Sequence, residues 1–338
     1  MNKEIILSVV IPTYNRVKFL ETTINCFIKQ ITGGALDGEV EIVVGNDASP
    51  DGTGKYIEQL EKNCEFVKAI NNISNLGLSG NVEKLVDKAR GEYIWLCGED
   101  DLIIDKSVER VMRAIKTNNP NYILINTSNI ISSDDRNLNY KIVDENRLDL
   151  REDIFIGNFE QEKGVLSKAK NWLYLTNLLS AVAFKKKLFL EEMAEAKKYL
   201  RPVNAYLFQA PLIIGIAKWG RLNIIADCLV LHRKNETHWS KSVQGNFTVS
   251  LYDSSEILNI IKHYIPGEYK DYQKRFAAYT FWAVRDAKQK GINVNKYIFD
   301  AIRKNYNCYP YNIRFLTALF APGIIFKMHA KLWREKDI

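Results

Sequence analysis

Ile5-Ile6-Leu7-Ser8-Val9-Val10-Ile11-Pro12-Thr13-Tyr14-Asn15-Arg16 is the stretch from which the fold is read. Residues 5–11 are rich in Val and Ile, which suits a strand, and Pro12 ends the run. The same device recurs downstream. Helical spacing over residues 19–30 leads to a short apolar run at 41–44, then a polar turn at 46–54 and a helix at 55–63. Residues 66–71 read as a third strand, 81–89 as a helix, and 93–97 as a fourth strand that ends in acids. A helix at 106–117 and a fifth strand at 122–126 follow. Such alternation predicts an α/β domain with a parallel, doubly wound sheet and helices on both faces.

Outward from this core the pattern changes. Residues 127–170 are polar and less regular, as loops or a short hairpin would be. Residues 172–190 are apolar, 206–219 suit a helix and 222–231 a last strand. After about residue 245 only helical spacing remains, so the expected organisation is an α/β domain over 1–245 and a helical region over 246–338. The five cysteines are scattered, with no pair at metal-ligand spacing, which suggests a reducing, cytoplasmic compartment without a disulfide framework. No signal peptide and no apolar span long enough for a bilayer are read in the sequence. The net charge of +7 suits an anionic partner. There is no basic aromatic stripe of the kind that binds nucleic acid.

In an open α/β sheet, ligands sit at the carboxyl ends of the strands where strand order reverses. After the first strand, Tyr14 offers a flat face for a nucleobase, and Thr13 and Asn15 offer hydrogen bonds; either polar residue could instead cap the next helix. After the second, Asp47 can accept from a base N–H or a ribose hydroxyl, whereas Ser49 and Asp51 read as helix caps. After the fourth come Gly98-Glu99-Asp100-Asp101. Three consecutive carboxylates repel one another unless they are solvated or neutralised by a cation, and a hard divalent ion such as Mg²⁺ or Mn²⁺ takes oxygen ligands.

These strand ends, in this order, resemble family 2 glycosyltransferases of GT-A fold. The matching segments are residues 8–16, 43–53, 75–81 and 91–101, and Gly98 before the acids resembles the abequosyltransferase-like subgroup of surface-polysaccharide synthesis. The resemblance implies an inverting transfer from a nucleotide-sugar donor (UDP-, dTDP-, GDP- or CDP-linked) to a glycan or a lipid-diphosphate-linked acceptor. It implies that Pro12, Tyr14 and Asp47 hold the nucleoside with Thr13 and Asn15 near by, and that Asn81 and Glu99 lie near the donor. Asp100 would bind the metal, and Asp101 or Glu99 would supply the oxygen ligand that is missing where Gly98 replaces the motif's first Asp. The family's general base is a carboxylate before the last strand; here Leu207-Phe208-Gln209-Ala210-Pro211 has none, so no base is assigned. His232 or His238, just past the last strand, would complete the metal shell or touch the diphosphate, with Arg233 and Lys234 suited to phosphate.

Apolar residues 315–320 and 324–326 lie close to Lys327, Lys331, Arg334 and Lys336, a composition suited to an anionic membrane surface or to packing on the main domain. The expected location is therefore cytoplasmic, peripheral on the inner face of the cytoplasmic membrane. Two other readings are weighed. A sugar-1-phosphate nucleotidyltransferase would need a Gly-rich basic loop after the first strand, and residues 12–16 contain no glycine. A non-catalytic nucleotide-sugar or carbohydrate-binding protein is favoured by Gln209 and Gly98.

Overall fold

The computed structural model describes residues 4–132, 140–144, 148–162, 169, 172–199, 208–233 and 256–273. The chain divides into two compact units. The first comprises Met1–Lys198 with Ala205–Asn235, and the second Tyr199–Asn204 with Glu236–Ile338. In the second unit, residues 256–264 and 266–273 are helical. The apolar and basic segment beyond residue 311 lies outside the described residues.

The first unit is built on one sheet. Its first half follows the alternation read from the sequence: β1 (Leu7–Thr13), α1 (Val17–Gly33), β2 (Val40–Asn46), α2 (Thr53–Asn63), β3 (Val67–Asn71), α3 (Gly77–Lys88) and β4 (Tyr93–Leu96). β1 pairs in parallel with β2 on one side and β4 on the other, and β2 pairs in parallel with β3. The order β3-β2-β1-β4 reverses between β1 and β4, which puts the ligand crevice outside their carboxyl ends.

Side-chain alternation shows why both faces need helices. Leu7, Val9 and Ile11 of β1, Val40, Ile42 and Val44 of β2, and Tyr93 and Trp95 of β4 share one core with Leu20, Ile24, Phe27 and Ile31 of α1. The Phe27 and Trp95 rings meet edge to face at 5.4 Å. The intervening positions, Val10, Val43, Ile94 and Leu96, are equally buried, and α3 packs on β1 and β2. A strand buried on both faces reads as a continuous apolar run. β2 is made to carry α3 closely at Gly45, where an added Cβ would stand 2.5 Å from the Leu85 methyls and 2.8 Å from the Asn81 side-chain oxygen.

The second half departs from the expected all-parallel sheet. β5 (Leu102–Ile103), α4 (Ser107–Asn118), β6 (Tyr122–Ser132), β7 (Tyr140–Asp144), β8 (Ile154–Ile156), α5 (Phe159–Glu162) and α6 (Trp172–Leu175) precede β9 (Val182–Lys185), α7 (Lys186–Ala196), α8 (Gln209–Trp219) and β10 (Leu222–Arg233). β9, from the apolar stretch 172–190, inserts antiparallel between β4 and β6, so the sheet is mixed. Val182, Ala183 and Phe184 are buried there, as an interior strand requires. β10 runs parallel to β6 and antiparallel to β5 and β8. Residues 209–216 of α8 are buried all round, because the sequence offers this helix no polar face.

Candidate active site

The end of β10, the turn before β9 and the start of α1 converge on the acidic turn after β4. The register of β10 against β5, Leu231 opposite Leu102, brings His232 and Arg233 to the turn that precedes β5. His232 Nδ1 lies 2.9 Å from Asp101 Oδ1, and the Arg233 backbone N–H donates to the same oxygen at 3.3 Å. Ser180, in the turn before β9, donates its hydroxyl to Asp101 Oδ2 and accepts from the Gly98 N–H at 2.8 Å. Thr23 of α1 donates to the carbonyls of Glu99 and Asp101, and Arg233 Nε donates to the Asp100 carbonyl at 2.9 Å.

The turn is therefore locked into the protein rather than solvated. Asp101 is only 3% exposed, and both its oxygens are taken. The sequence suggests it as a metal ligand. Its geometry is instead that of a carboxylate orienting a histidine: with Nδ1 turned to Asp101, the His232 ring presents Nε2 from its far edge. Burial would raise the Asp101 pKa, but His232, Ser180 and the Arg233 N–H more than offset it and hold the carboxyl below its ordinary range. Gly98 also has a steric reason: a Cβ there would stand 3.1 Å from Asp101 Oδ2 and 3.4 Å from Asp100 Oδ1.

Glu99 and Asp100 behave differently. Both face Arg16, whose Nη1 lies 2.6 Å from Asp100 Oδ2 and 3.4 Å from Glu99 Oε1. Burial, and then the charge of Asp100, push Glu99 up to about 8 despite Arg16. Burial and the charge of Asp101 likewise raise Asp100. One guanidinium thus undercompensates two desolvated carboxylates. That donor set, oxygen-only and short of positive charge, fits a hard divalent cation. Among the described residues no group of three or more His, Cys, Asp or Glu is arranged to hold a metal. An open site completed by substrate phosphates needs no such cage.

The residues expected to hold a nucleoside stand at the ends of β1, β2 and β3. The Asp47 N–H donates to the Thr13 carbonyl and the Asn72 N–H to the Asn46 carbonyl, so residues 13, 46 and 71 end level. Asp47 is 3% exposed, and its Oδ1 accepts from Asn72 Nδ2 at 2.9 Å and from the Leu76 N–H at 2.8 Å. Tyr14 is 48% exposed, a flat face left open beside it. Thr13 Oγ1 is buried without a hydrogen-bond partner. Asn15 sits at φ 57°, a left-handed conformation that Asn tolerates, and its N–H donates to Ser49 Oγ. Asp51 accepts from the Val17 N–H and from Thr53, capping α1 and α2 together.

Other expected residues lie further in. Pro12 is buried in the ladder opposite Gly45. Asn81, expected near the donor, is 1% exposed beneath β2: it donates to the Gly45 carbonyl and accepts from Asn72, and so supports Asp47 from below. Gln209 is buried and donates its amide to Thr176 Oγ1 at 3.0 Å. His238 and Lys234 lie outside the described residues. Sequence reasoning misses Arg16, Thr23 and Ser180. Arg16 stands inside a matched motif, whereas Thr23 and Ser180 carry no signal that sequence spacing could reveal.

Residues 8–180, just over half the chain, match the model of glycosyl transferase family 2. The abequosyltransferase RfbV of Salmonella typhimurium is 34% identical over 104 residues, which is 30% of this chain and 30% of that protein. A GalNAc(5)-diNAcBac-PP-undecaprenol beta-1,3-glucosyltransferase of Campylobacter jejuni is 30% identical over 108 residues, 32% of this chain and 33% of its own length. These alignments span about a third of each relative. S. aureus TarS residues 1–349, solved in complex with UDP-GlcNAc, superposes with a TM-score of 0.57 at 17% identity, covering 93% of this chain and 90% of that one. The mannosyltransferase PcManGT of Pyrobaculum calidifontis, in complex with GDP-Man and Mn²⁺, gives 0.51 at 12% identity over 97% and 87%. The structural likeness shows the GT-A fold, and the family match shows that the chain belongs to glycosyl transferase family 2.

Proposed function

We propose that this protein is an inverting glycosyltransferase that uses a divalent metal and a nucleotide-sugar donor in the synthesis of a cell-surface polysaccharide. The observation that carries this reading is the acidic turn after β4. It lies at the switch point of the sheet, tied to β1 through Arg16 and to β10 through His232. The open Tyr14 face and the supported Asp47 carboxylate support a nucleoside site beside it. The relatives named for abequosyl and glucosyl transfer, and the neighbours solved with UDP-GlcNAc or with GDP-Man and Mn²⁺, support the donor class.

In this reading Tyr14 stacks on the base and Asp47 accepts from the base or the ribose. Asp100, with Glu99, would hold the metal, and His232 Nε2 would reach the same ion or the diphosphate. When bound, the metal neutralises charge on the departing nucleoside diphosphate. In a single displacement the acceptor hydroxyl oxygen bonds to the anomeric carbon as the sugar–phosphate bond breaks, and the hydroxyl proton passes to a base. Gln209 cannot be that base, since an amide takes no proton at neutral pH. Among the described residues no helix is long and apolar enough to cross a membrane. A lipid-diphosphate acceptor would then be met at the inner face of the cytoplasmic membrane, with the basic C-terminal segment 311–338 as the contact.

Incubation with a panel of nucleotide sugars and Mn²⁺ tests the reading. Release of nucleoside diphosphate from one of them, abolished by chelation, is expected. A complete lack of binding and of release across UDP-, dTDP-, GDP- and CDP-sugars would sink it. Binding without release would favour the non-catalytic reading that Gln209 supports.

A further inference from the structure

The acidic turn already holds a cation of the protein's own. The Arg16 guanidinium contacts Asp100 at 2.6 Å and Glu99 at 3.4 Å, and the three side chains are only 13–18% exposed. Asp101 is engaged elsewhere, by Ser180, His232 and Arg233. Arg16 is thus the positive group directly paired with the two carboxylates that would take a metal. A divalent ion binds carboxylate oxygen at about 2.0–2.1 Å. A guanidinium nitrogen hydrogen-bonded to the same oxygen would leave two positive groups a few ångströms apart in a largely dry site, a repulsion that favours one occupant over two.

We propose that Arg16 is a resident counter-cation, holding Asp100 and Glu99 in the donor-free protein and yielding them when the divalent ion arrives with its diphosphate. The inference rests on the metal-dependent reading above. Arg16 is free to make the exchange because of where it stands. It is the residue before the first turn of α1, at φ −145°, outside the helical conformation, so its side chain can swing without disturbing that helix. The Phe19 ring lies 5.2 Å from its guanidinium carbon and 5.7 Å from that of Arg233, so Arg16 rests on an aromatic face rather than in a closed socket. Donor phosphates offer the guanidinium a new anion of matching fork geometry. Metal and diphosphate binding are then coupled: metal alone must displace Arg16 without replacing its partner, whereas metal with diphosphate supplies one.

Calorimetric titration of the full chain with Mn²⁺ alone tests this in the wild type, Arg16→Gln and Arg16→Lys. Arg16→Gln is expected to bind Mn²⁺ about tenfold more tightly, because the competing charge is gone, and Arg16→Lys to stay near wild type. Unchanged or weaker Mn²⁺ binding by a folded Arg16→Gln overturns the proposal. Should Arg16→Gln fail to fold, a crystal of the wild type soaked in MnCl₂ decides. Mn²⁺ on Asp100 with Arg16 moved out of hydrogen-bond distance supports exchange, and Mn²⁺ on Asp100 with the 2.6 Å contact intact overturns it. No Mn²⁺ binding by any of the three overturns it as well. In that event, nucleotide-sugar binding measured without metal shows separately whether the donor reading stands.

Discussion

At the scale of single residues, Asp101 is held by three partners. Its Oδ1 takes His232 Nδ1 and the Arg233 N–H, and its Oδ2 takes the Ser180 hydroxyl. Asp101→Asn keeps the shape but removes the carboxylate charge and turns one acceptor into a donor, so the Ser180 hydroxyl loses its charged acceptor and His232 its counter-charge. The expected loss is about 2–3 kcal/mol of stability, read from denaturant midpoints. The Asn oxygen still accepts from His232 Nδ1 but without the carboxylate charge, so Mn²⁺ affinity in the presence of donor is expected to fall, by less than in His232→Ala. Wild-type affinity in both variants would remove His232 from the donor site. His232 is legible in the sequence by its place at the end of the last strand, but its partner stands 131 positions earlier in the chain and no local pattern joins the two. Arg16 shows the same limit: its motif is visible in the sequence, and its pairing with residues 99 and 100 becomes visible only when β1 and β4 are set side by side.

At the scale of elements, legibility follows burial pattern. β1 to β4 are readable because each is a short apolar run closed by a turn and separated from the next by an amphipathic helix. β9 is not. Its four residues lie within one apolar stretch that also supplies α6 and the start of α7, and apolarity alone does not separate a buried helix from a buried strand. β7 and β8 are short pieces within the polar region 127–170, where alternation is weak. β2 and α3 approach closely at Gly45. Gly45→Ala presses a methyl onto Leu85 and onto Asn81, the residue that supports Asn72 and through it Asp47. Overpacking of this kind is expected to cost about 1–3 kcal/mol. Donor affinity should fall as well, since Asp47 loses its support. A Gly45→Ala protein with wild-type unfolding and donor binding would show that α3 can move away freely, contrary to the packing described.

At the scale of the whole molecule, the acidic turn makes global stability depend on pH even though the chain carries a net charge of +7. Glu99 stands at about 8 in the folded protein against an ordinary 4.5, raised first by burial and then by Asp100. Between those values the folded state binds a proton that the unfolded chain has released, so stability falls as pH rises. The contribution is fully present below about pH 4.5 and is lost by about pH 8, and Asp100, raised by burial and Asp101, adds to it with the same sign. Asp101 acts oppositely, being held below its ordinary value, but its contribution is lost only in more acid solution, outside this window. In chelator, unfolding free energy is therefore expected to decline from pH 5 to pH 8 by on the order of 1 kcal/mol per pH unit from this site. Glu99→Gln should flatten that slope and raise stability at pH 8, where the wild type must keep a buried carboxylate ionised. Saturating Mn²⁺ with a bound donor should flatten it in the wild type too, because a divalent ion favours the ionised carboxylates. A Glu99→Gln protein whose stability declines as steeply as the wild type would place the pH dependence elsewhere in the chain and remove the charge deficit on which the metal assignment leans.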